Sequence, residues 1–419
     1  MIELAFFALR TTWMVVSLVA TGAWQPAGRL AAAPQPAPPQ ARPPATFIAH
    51  GVKDKGIFSA FDAKINYSIP ALPRGETRLH VNKKARVLVL YDRAIPRKTY
   101  PIALGFAPVG HKVRQGDGKT PEGSYTICEK LEKNLAPQYG ARSLRLSYPG
   151  LVDAKTGLAS KLIDQPTFER LRDAHAKGVM PPQTTALGGS IRIHGGGAAT
   201  DWTLGCIALR DPDVIELSDR VQVGTPVVVH ADKTPDDTDG DGIPDLLDVL
   251  LGALKAAANG AKYDGRYFAV KYPGGDVPDG FGVCTDVIIR AVRNAGIDLQ
   301  KEIVNHIRNN RRLYPWIVKP DTNIDHRRVR NMIVYFLATY LLLDKGYTTA
   351  NRDTYLPGDV IFMDTLPKAG PDHVGVISEE RDAAGDPLVI NNWTDGYTTR
   401  KMALLPSIPV THHFRLIRK

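Results

Sequence analysis

The chain has 419 residues, 43% of them hydrophobic, which is enough for two or three globular domains with buried cores. The formal net charge of +10 would permit nucleic-acid binding, but the basic residues look scattered and no recognition motif accompanies them. Nucleic acid is therefore not a predicted partner. Three cysteines are too few for a disulfide framework.

The N-terminal segment predicts that the protein is exported. Arg10 precedes an apolar stretch at residues 11–24, whose length suits the core of a secretory signal and is short for a full bilayer span. Residues 1–33 are predicted to be a signal peptide or an uncleaved N-terminal anchor. Residues 34–75 begin with a run of Ala, Pro and Gln that cannot bury a core, which predicts an extended spacer and lead-in.

Short apolar runs broken by proline and glycine predict a mainly β domain over residues 76–231. The predicted strands are TRLHV, RVLVLY, KTYPIALG, GSYTICEKL and the closing VGTPVVVH. A polar helical insert is predicted around residues 165–177. Asp211-Pro212 supplies an N-cap and a first-turn proline, which predicts a short helix after them.

The segment IHGGGAATDWTLGCIALRD, at residues 193–211, places His194 twelve residues before Cys206 in a glycine-rich bed. A thiol needs a nearby base to become a thiolate nucleophile, and glycines let the backbone approach a substrate carbonyl closely. The pattern predicts a catalytic pair, with Cys206 as nucleophile and His194 as base. The alternative is a buried structural cysteine beside a hydrogen-bonded histidine.

This segment resembles the active-site pattern of the L,D-transpeptidase (YkuD-type) family. The matching residues are His194-Gly195 and Thr203-Leu204-Gly205-Cys206. The resemblance extends to GDGKTPEGSYTI, LRLSYPG and ALGGSIRIHG, although many members have a second histidine where this chain has Leu204. The resemblance implies that the Cys206 thiolate attacks the carbonyl of the third residue of a peptidoglycan stem peptide. Backbone amides near Gly205 and Cys206 would then hold the oxyanion.

The reaction outcome and the substrate contacts stay open at this point. An amine that captures the acyl group would give a cross-link, and water would give hydrolysis. Arg192 and Arg210 are candidates for binding substrate carboxylates, and Thr203 is a further candidate for substrate contact. Surface arginines without any such role are common.

The join between the two halves, DTDGDGIPDLLD at residues 237–248, fits a calcium-binding loop with oxygen ligands at alternating positions. The predicted ligands are Asp237, Asp239, Asp241, the Ile243 carbonyl, Asp245 and Asp248. Asp248 stands where a bidentate glutamate is usual. A structural Ca²⁺ that stiffens the linker of residues 232–248 is predicted, and a solvated acidic linker is the alternative.

A second cysteine lies at the predicted start of an apolar-striped helix within residues 249–419. The positive end of the helix dipole is expected to lower the pKa of Cys284 and raise its thiolate fraction. Downstream, His373 starts a short β segment, and the next strand offers Asn391 and Asn392. The order of cysteine on a helix, histidine on a strand and then a polar residue is that of papain-like enzymes.

The second half resembles an uncharacterised bacterial family related to NlpC-type cell-wall peptidases. The motifs that carry the resemblance are YPGGDVP, GVCTDVIIRA, GIDLQ, PDTNIDHRRVRN, PGDVIF and HVGVIS. The resemblance implies that Cys284 is a nucleophile and His373 its base, with Asn391 or Asn392 orienting the histidine. The charged cluster at residues 325–328 could shape the pocket or cap a helix.

These patterns predict two domains, a mainly β L,D-transpeptidase-like domain followed by an α+β papain-like cysteine peptidase domain. The resemblances imply an exported bacterial enzyme, periplasmic or associated with the cell wall, that acts on peptidoglycan stem peptides. Anionic envelope polymers are expected to attract its positive charge. Catalysis is not expected to need a cofactor, and no stable protein partner is expected.

Other functions fit parts of the pattern. Both domains could hydrolyse peptidoglycan, or the chain could be a wall-binding protein without catalytic thiols. A thiol protease acting on proteins and a calcium-dependent adhesive protein are two further classes. Two separate Cys/His constellations in one chain favour the enzyme.

Overall fold

The computed structural model describes residues 77–343, 346–366 and 370–419. The predicted signal or anchor (1–33) and the spacer (34–75) lie outside these residues. Among the described residues, no helix combines the length and the apolar character needed to cross a membrane.

The first domain is built on one eight-stranded sheet. Its strands are β1 (Thr77–Asn82), β2 (Val87–Asp92), β3 (Ile95–Pro101), β4 (Gly123–Leu131), β5 (Ser143–Leu146), β6 (Arg192–His194), β7 (Ile207–Ala208) and β8 (Pro226–His230). A strand is present at each of the five predicted positions, although β3 ends at Pro101 and so includes only the first half of the predicted KTYPIALG. The expectation of a mainly β domain is confirmed.

The strand order is β3-β2-β1-β8-β4-β5-β6-β7, with parallel pairs only at β1–β8 and β6–β7. The sheet curls, because Ala103 after β3 exchanges two backbone hydrogen bonds of 2.8 Å with Ala208 in β7. Buried aliphatic and aromatic side chains from nearly every strand fill the interior. The curl brings the end of β6 and the turn before β7 to the same edge of the core.

Three helices accompany this sheet: α1 (Leu151–Ala159), α2 (Gln165–Ala176) and α3 (Asp211–Arg220). The predicted helical insert is α2, whose first turn is capped by Asp164. Helix α1 was not predicted, because it has only a shallow apolar stripe; it contributes to a small cluster with α2. The predicted short helix is α3.

The second domain begins with helices: α4 (Asp245–Asn259), α5 (Cys284–Asn294), α6 (Leu299–Asn309) and α7 (Val329–Thr339). Helix α5 ends just before Gly296, whose φ of +74° suits glycine at a helix C-terminus. Helices α4 and α5 contribute apolar faces to a core shared with the following sheet. Cys284 is the first residue of α5, and this helix is buried along most of its length.

The second domain continues as short strands and one antiparallel sheet. Its strands are β9 (Lys262–Tyr263), β10 (Phe281–Gly282), β11 (Tyr340–Leu342), β12 (Val360–Met363), β13 (His373–Arg381), β14 (Pro387–Asn391), β15 (Arg400–Met402) and β16 (Val410–Arg418). The six-stranded sheet has the order β11-β16-β12-β13-β14-β15. His373 begins β13, and Asn391 ends the neighbouring β14, so the sheet brings them side by side.

Candidate active sites

The main chain fixes the orientation of His194 in β6. Its Nδ1 lies 2.6 Å from the carbonyl oxygen of Gly195. A carbonyl oxygen only accepts hydrogen bonds, so Nδ1 carries the ring proton and Nε2 keeps its lone pair. Burial also lowers the pKa of His194. A neutral imidazole with a fixed tautomer is the state that a general base requires.

Strand pairing brings Cys206 to His194. The parallel register of β6 and β7 pairs Ile193 with Ile207 and His194 with Ala208. Cys206 precedes β7 by one residue, so it lies alongside β6. The backbone N–H of Arg192 is directed at the Cys206 sulfur, so the thiol lies beside the start of β6, two residues before His194.

The Cys206 thiol is partly exposed and rests with its Sγ 3.7 Å from the Ser190 carbonyl oxygen. Burial of the sulfur raises the pKa of this thiol, and a backbone hydrogen bond together with the positive charges of Arg192 and Lys112 opposes the rise. The resting thiol is therefore protonated at neutral pH. It needs His194 to remove the proton at the moment of attack.

Asp211 holds the segment that orients the histidine. Helix α3 begins at Asp211 with Arg210 as its N-cap residue, so the predicted N-cap role of Asp211 is wrong. Its Oδ1 accepts hydrogen bonds from the backbone N–H groups of Ala141 (3.0 Å) and Gly196 (3.1 Å). A Cβ at Gly195 would lie 2.0 Å from the same oxygen, which explains why glycine is needed there.

Two aromatic rings flank the imidazole, and sequence analysis identified neither. The ring centroids of Tyr139 and Trp202 lie 5.1 Å and 5.6 Å from that of His194, both in edge-on geometry. Trp202 is 40% exposed, so it forms part of the rim of the site. The only feature of the sequence that indicated a role for Trp202 was its position close to Cys206 in TDWTLGC. Tyr139 ends a short 3-10 helix (Pro137–Tyr139) 55 residues before His194, and nothing in the sequence indicated its contact with the histidine.

The structure assigns Thr203 and Gly205 to the cysteine turn. Thr203 is buried; its hydroxyl donates to the Cys206 carbonyl (2.8 Å) and accepts from the Gly205 N–H (3.1 Å). The predicted substrate contact of Thr203 is therefore wrong. The Gly205 amide is already used, so it is not the predicted oxyanion donor. Gly205 is needed for its φ of +127° and because a Cβ would lie 2.6 Å from the Lys119 carbonyl.

The two candidate arginines also have other partners. Arg192 is 4% exposed; it forms an ion pair with Glu129 (2.7 Å) and donates to the Ser143 hydroxyl (2.9 Å). Arg210 is exposed but donates two hydrogen bonds to the Asp213 carboxylate. The Arg192 guanidinium is buried and paired, which corrects its predicted substrate-binding role, whereas Arg210 is exposed and its substrate-binding role stays a prediction.

In the second domain, a side chain orients the histidine. The Nε2 of His373 lies 3.2 Å from the Oδ1 of Asn391. The other end of that amide donates to the Val389 carbonyl (3.2 Å), which fixes the oxygen toward the ring. Nε2 therefore carries the proton, and Nδ1 is left to act as a base. The backbone N–H of Val374 is directed at the Cys284 sulfur, so the thiol lies beside the start of β13.

The neighbouring amide has a different role. Asn392 is fully buried, and its Nδ2 donates to the carbonyl oxygens of Ala261 and Gly282, each at 3.1 Å. Gly282 lies two residues before Cys284. Of the two predicted candidates, Asn391 is placed to orient the histidine, whereas Asn392 holds the backbone that leads to the cysteine.

The charged cluster at residues 325–328 supports the start of α5. Asp286 accepts a hydrogen bond from the Val283 N–H (2.8 Å) and a bidentate pair from Arg327 (2.7 and 2.8 Å). The Thr285 hydroxyl donates to the Arg327 carbonyl (2.9 Å). These contacts fix the helix end that carries Cys284, and nothing places Arg327 in contact with a substrate.

The predicted lowering of the Cys284 pKa by the helix dipole is wrong. The side chain is 8% exposed, and this burial raises the pKa of the thiol to about 12. Desolvation disfavours the thiolate more strongly than the helix end favours it. Burial also lowers the pKa of His373. This pair therefore rests as a neutral thiol beside a neutral imidazole.

In the acidic loop, Asp237, Asp239 and Asp241 offer carboxylate oxygens that lie within 4.8 Å of one another. Asp237 is 1% exposed and accepts hydrogen bonds from the Gly240 and Gly242 N–H groups, each at 2.8 Å. Burial and repulsion from the other two carboxylates raise the pKa of Asp237 to about 6. A divalent cation would relieve this repulsion.

Two of the remaining predicted calcium ligands, Asp245 and Asp248, have other partners. Asp245 accepts hydrogen bonds from the backbone N–H and the hydroxyl of Thr238. Asp248 is fully buried inside α4 and accepts a hydrogen bond from Asn294 (3.1 Å). The Ile243 N–H donates to the Asp241 carboxylate (2.9 Å), and the carbonyl of Ile243 stays a predicted ligand. The three carboxylates of Asp237, Asp239 and Asp241 are thus the ones placed together for a cation.

Two family models match the chain. Residues 76–229 match the L,D-transpeptidase catalytic domain (YkuD), and residues 250–416 match a domain of unknown function, DUF1287. The predicted L,D-transpeptidase domain is thereby confirmed, and both Cys206 and His194 lie inside it. The second match carries no activity with it, so the relation to NlpC-type peptidases stays a prediction.

One curated relative matches closely enough to define a family. The uncharacterized protein YijF of Escherichia coli (strain K12) is 39% identical over 163 residues, which is 36% of this chain and 76% of YijF. The chain belongs to the same family as YijF.

Solved structures with partial likeness include Bdellovibrio bacteriovorus Bd1075, at 23% identity and a TM-score of 0.27 over 38% of this chain. Another is an L,D-transpeptidase from Mycobacterium smegmatis, at 14% identity and a TM-score of 0.22 over 37% of this chain. The chain spans 49% and 58% of the lengths of these two proteins.

Proposed function

We propose that the protein is an exported bacterial cell-wall enzyme with two thiol active sites, one in each domain. The observation that carries the proposal is a repeated arrangement: a cysteine whose sulfur lies against the strand that carries a buried histidine, with one ring nitrogen of that histidine hydrogen-bonded to an acceptor. Two such arrangements in one chain are hard to explain as structural cysteines. The L,D-transpeptidase family match supports peptidoglycan stem peptides as the substrate.

In the first domain, His194 removes the thiol proton and the Cys206 thiolate attacks the carbonyl carbon of the third stem residue. The bond from that carbonyl to the next residue breaks, and the leaving amine takes the proton back from His194. A thioester remains on Cys206. An amine from a second stem then attacks the thioester, which forms a new amide bond and restores the thiol. Hydrolysis by water is the competing outcome.

In the second domain, Cys284 and His373 would carry out the same kind of attack, followed by water, as a cysteine amidase or endopeptidase. The cysteine at a helix start and the His373–Asn391 hydrogen bond support the proposed papain-like relationship. Since the thiol is 8% exposed, substrate entry requires some opening of the residues around it.

We also propose a structural Ca²⁺ in the acidic loop, held by Asp237, Asp239 and Asp241. The loop passes close to the first domain, since a Cβ at Gly242 would lie 2.5 Å from that of Ala85. A cation there would stiffen the join between the domains. Catalysis in either site is proposed without any cofactor.

Incubation of purified sacculi with the wild type and with single cysteine variants tests the main proposal. Cys206→Ala and Cys284→Ala should each abolish a different set of fragments in mass spectrometry. Cys128→Ala is the matched control, because Cys128 lies in β4 outside both sites and should leave both sets unchanged. If the two active-site variants lose the same products, or none, the proposal of two enzymes in one chain fails.

A further inference from the structure

Half of the net positive charge of the chain is concentrated in residues 301–331. This stretch contains eight basic and three acidic side chains, an excess of five out of the formal +10. The expectation that the basic residues are scattered is therefore wrong. Six of the eight basic side chains are exposed. Five of these lie between the last turn of α6 and the first turn of α7, and we call them the basic surface: Arg308, Arg312, Lys319, Arg328 and Arg330.

The protein places few carboxylates near the basic surface, although Asp325 interacts electrostatically with Arg328. Within the described ranges, none of its five side chains forms an ion pair with a carboxylate. The three acidic residues nearby are used elsewhere: Glu302 binds Arg418, whereas Asp321 and Asp325 accept hydrogen bonds inside their own loop. Helix α7 has no acidic residue in its first turn, so its positive end adds to the charge.

Packing fixes the loop that carries part of the basic surface. The Arg330 guanidinium stacks 3.7 Å above the ring of Trp316, and the Trp316 Nε1 donates to the Asn331 side chain (2.7 Å). Arg311, next to Arg312, donates to the carbonyl oxygen of Val318 (3.2 Å). The loop between α6 and α7 is thereby tied to the start of α7.

Apolar side chains protrude between the cations. Val318 is 94% exposed and Leu313 is 49% exposed, whereas Tyr314 and Ile317 turn inward and anchor the loop. Val318 directly precedes Lys319. Exposed aliphatic groups flanked by cations are typical of surfaces that enter the headgroup region of a bilayer.

We propose that the basic surface docks on a bilayer rich in anionic phospholipids, with Val318 and Leu313 entering the interface. The cations would meet the lipid phosphates, and the two aliphatic side chains would leave water for the acyl-chain boundary. A soluble anionic polymer would satisfy the charges but would offer nothing to the aliphatic side chains. The two aliphatic side chains therefore contribute to binding a bilayer but not to binding a soluble polymer.

Flotation of the full chain with vesicles tests this assignment. Phosphatidylcholine vesicles are compared with vesicles in which about one quarter of the lipid is phosphatidylglycerol. Other apolar segments of the chain would bind both kinds of vesicle equally. The additional binding to the anionic vesicles therefore measures the contribution of the basic surface. The charge variant is Arg312→Gln/Lys319→Gln/Arg328→Gln. Its matched control removes three exposed cations of the first domain: Lys155→Gln/Lys161→Gln/Lys177→Gln.

The charge variant should lose about 100-fold in partitioning to anionic vesicles, at about fivefold per cation, and the control should lose far less. Leu313→Ser/Val318→Ser should lose about tenfold while keeping its binding to polyphosphate. Raising NaCl from about 0.1 M to about 0.5 M should weaken the wild type.

Two results would overturn the proposal. One is equal loss in the charge variant and its control. The other is binding to polyphosphate that matches the binding to vesicles, together with no effect of Leu313→Ser/Val318→Ser, which would indicate a polymer partner.

Discussion

The two candidate sites pair the same side chains but hold the histidine in different ways. In the first domain the acceptor is the main-chain carbonyl of Gly195, and in the second it is the side-chain amide of Asn391. A main-chain acceptor cannot be removed by a side-chain substitution, but it can be displaced if the backbone moves. The first site therefore depends on backbone conformation, and the second depends on one side chain.

The thiols differ in access rather than in protonation. Cys206 is partly exposed in a turn between strands, whereas Cys284 is buried at the start of a helix. Burial nevertheless raises the pKa of both thiols. Neither position makes a stable thiolate, so in both sites the histidine must supply the base.

Removal of either histidine is expected to have the largest effect. His194→Gln should lower the rate of the first domain's products about 10³-fold at neutral pH, because the protonated thiol loses its base. His373→Gln should do the same to the second domain's products. Initial rates on sacculi, followed by mass spectrometry, give both values in one experiment. Equal loss of both product sets in either variant, with unchanged circular dichroism, would contradict independent sites.

The pKa of each histidine also determines the pH at which the rate of its site falls on acidification. Burial lowers the pKa of both below the ordinary 6.5, so each ring stays unprotonated and active as a base at that pH. Rates should hold as the pH falls to about 6.5 and then decline through the lowered pKa. A decline centred above 6.5 in either product set would show that its histidine is not buried and neutral as described.

Substitution of Asn391 should separate the two sites most clearly. Asn391→Ala removes the acceptor for His373, and the misplaced ring should lower kcat about 10²-fold with little change in KM. Products of the first domain should not change. Asn391→Asp keeps an acceptor, so it should recover part of the rate. Its negative charge should also raise the pKa of His373 and move the acid limb upward. A purely structural role would not move that limb.

The corresponding test in the first domain has a smaller effect, because it acts through the backbone. Asp211→Ala frees the Ala141 and Gly196 N–H groups, and the loosened carbonyl of Gly195 should lower the rate about tenfold. Asp213→Ala removes an acidic residue from the same helix turn without touching that segment, so it is the control. Equal effects of the two variants would assign Asp211 to helix stability alone.

Local patterns account for what could be predicted from the sequence. Alternating apolar residues gave the strands, and the glycine-rich HG and GC motifs located the first catalytic pair. Cys284 at a helix start and His373 at a strand start were predicted for the same reason. Each of these features depends on residues close together in the chain.

Features that depend on packing between distant segments were missed. The contact of Asp211 with Gly196 exists only after β6 and α3 are brought together. The sequence could not indicate this contact, so Asp211 was predicted to cap a helix instead. The choice between Asn391 and Asn392 required the pairing of β13 with β14. The sign of the Cys284 pKa shift depended on how deeply α5 is buried, which a dipole argument does not include.

The acidic loop between the domains should give the smallest effect, a change in stability. At about 10 mM calcium and about pH 7.5, binding by a site of sub-millimolar affinity should stabilise the fold by about 2 kcal/mol, or raise the Tm by about 5 °C. Asp239→Asn should lose this shift in differential scanning fluorimetry. Asp219→Asn, an exposed aspartate in the first domain, should retain it.

The pH dependence of that shift follows from Asp237, whose pKa is raised to about 6 from the ordinary 3.8. Without a cation, the raised pKa means that the fold is favoured while Asp237 is protonated, and this contribution is lost as the pH rises through 6. Calcium must displace that proton, so its affinity at about pH 5 should be about tenfold weaker than at about pH 7.5. The Tm shift should therefore shrink on acidification. A shift of equal size at both values would mean that any bound cation does not contact Asp237, and the acidic loop would then be a solvated linker.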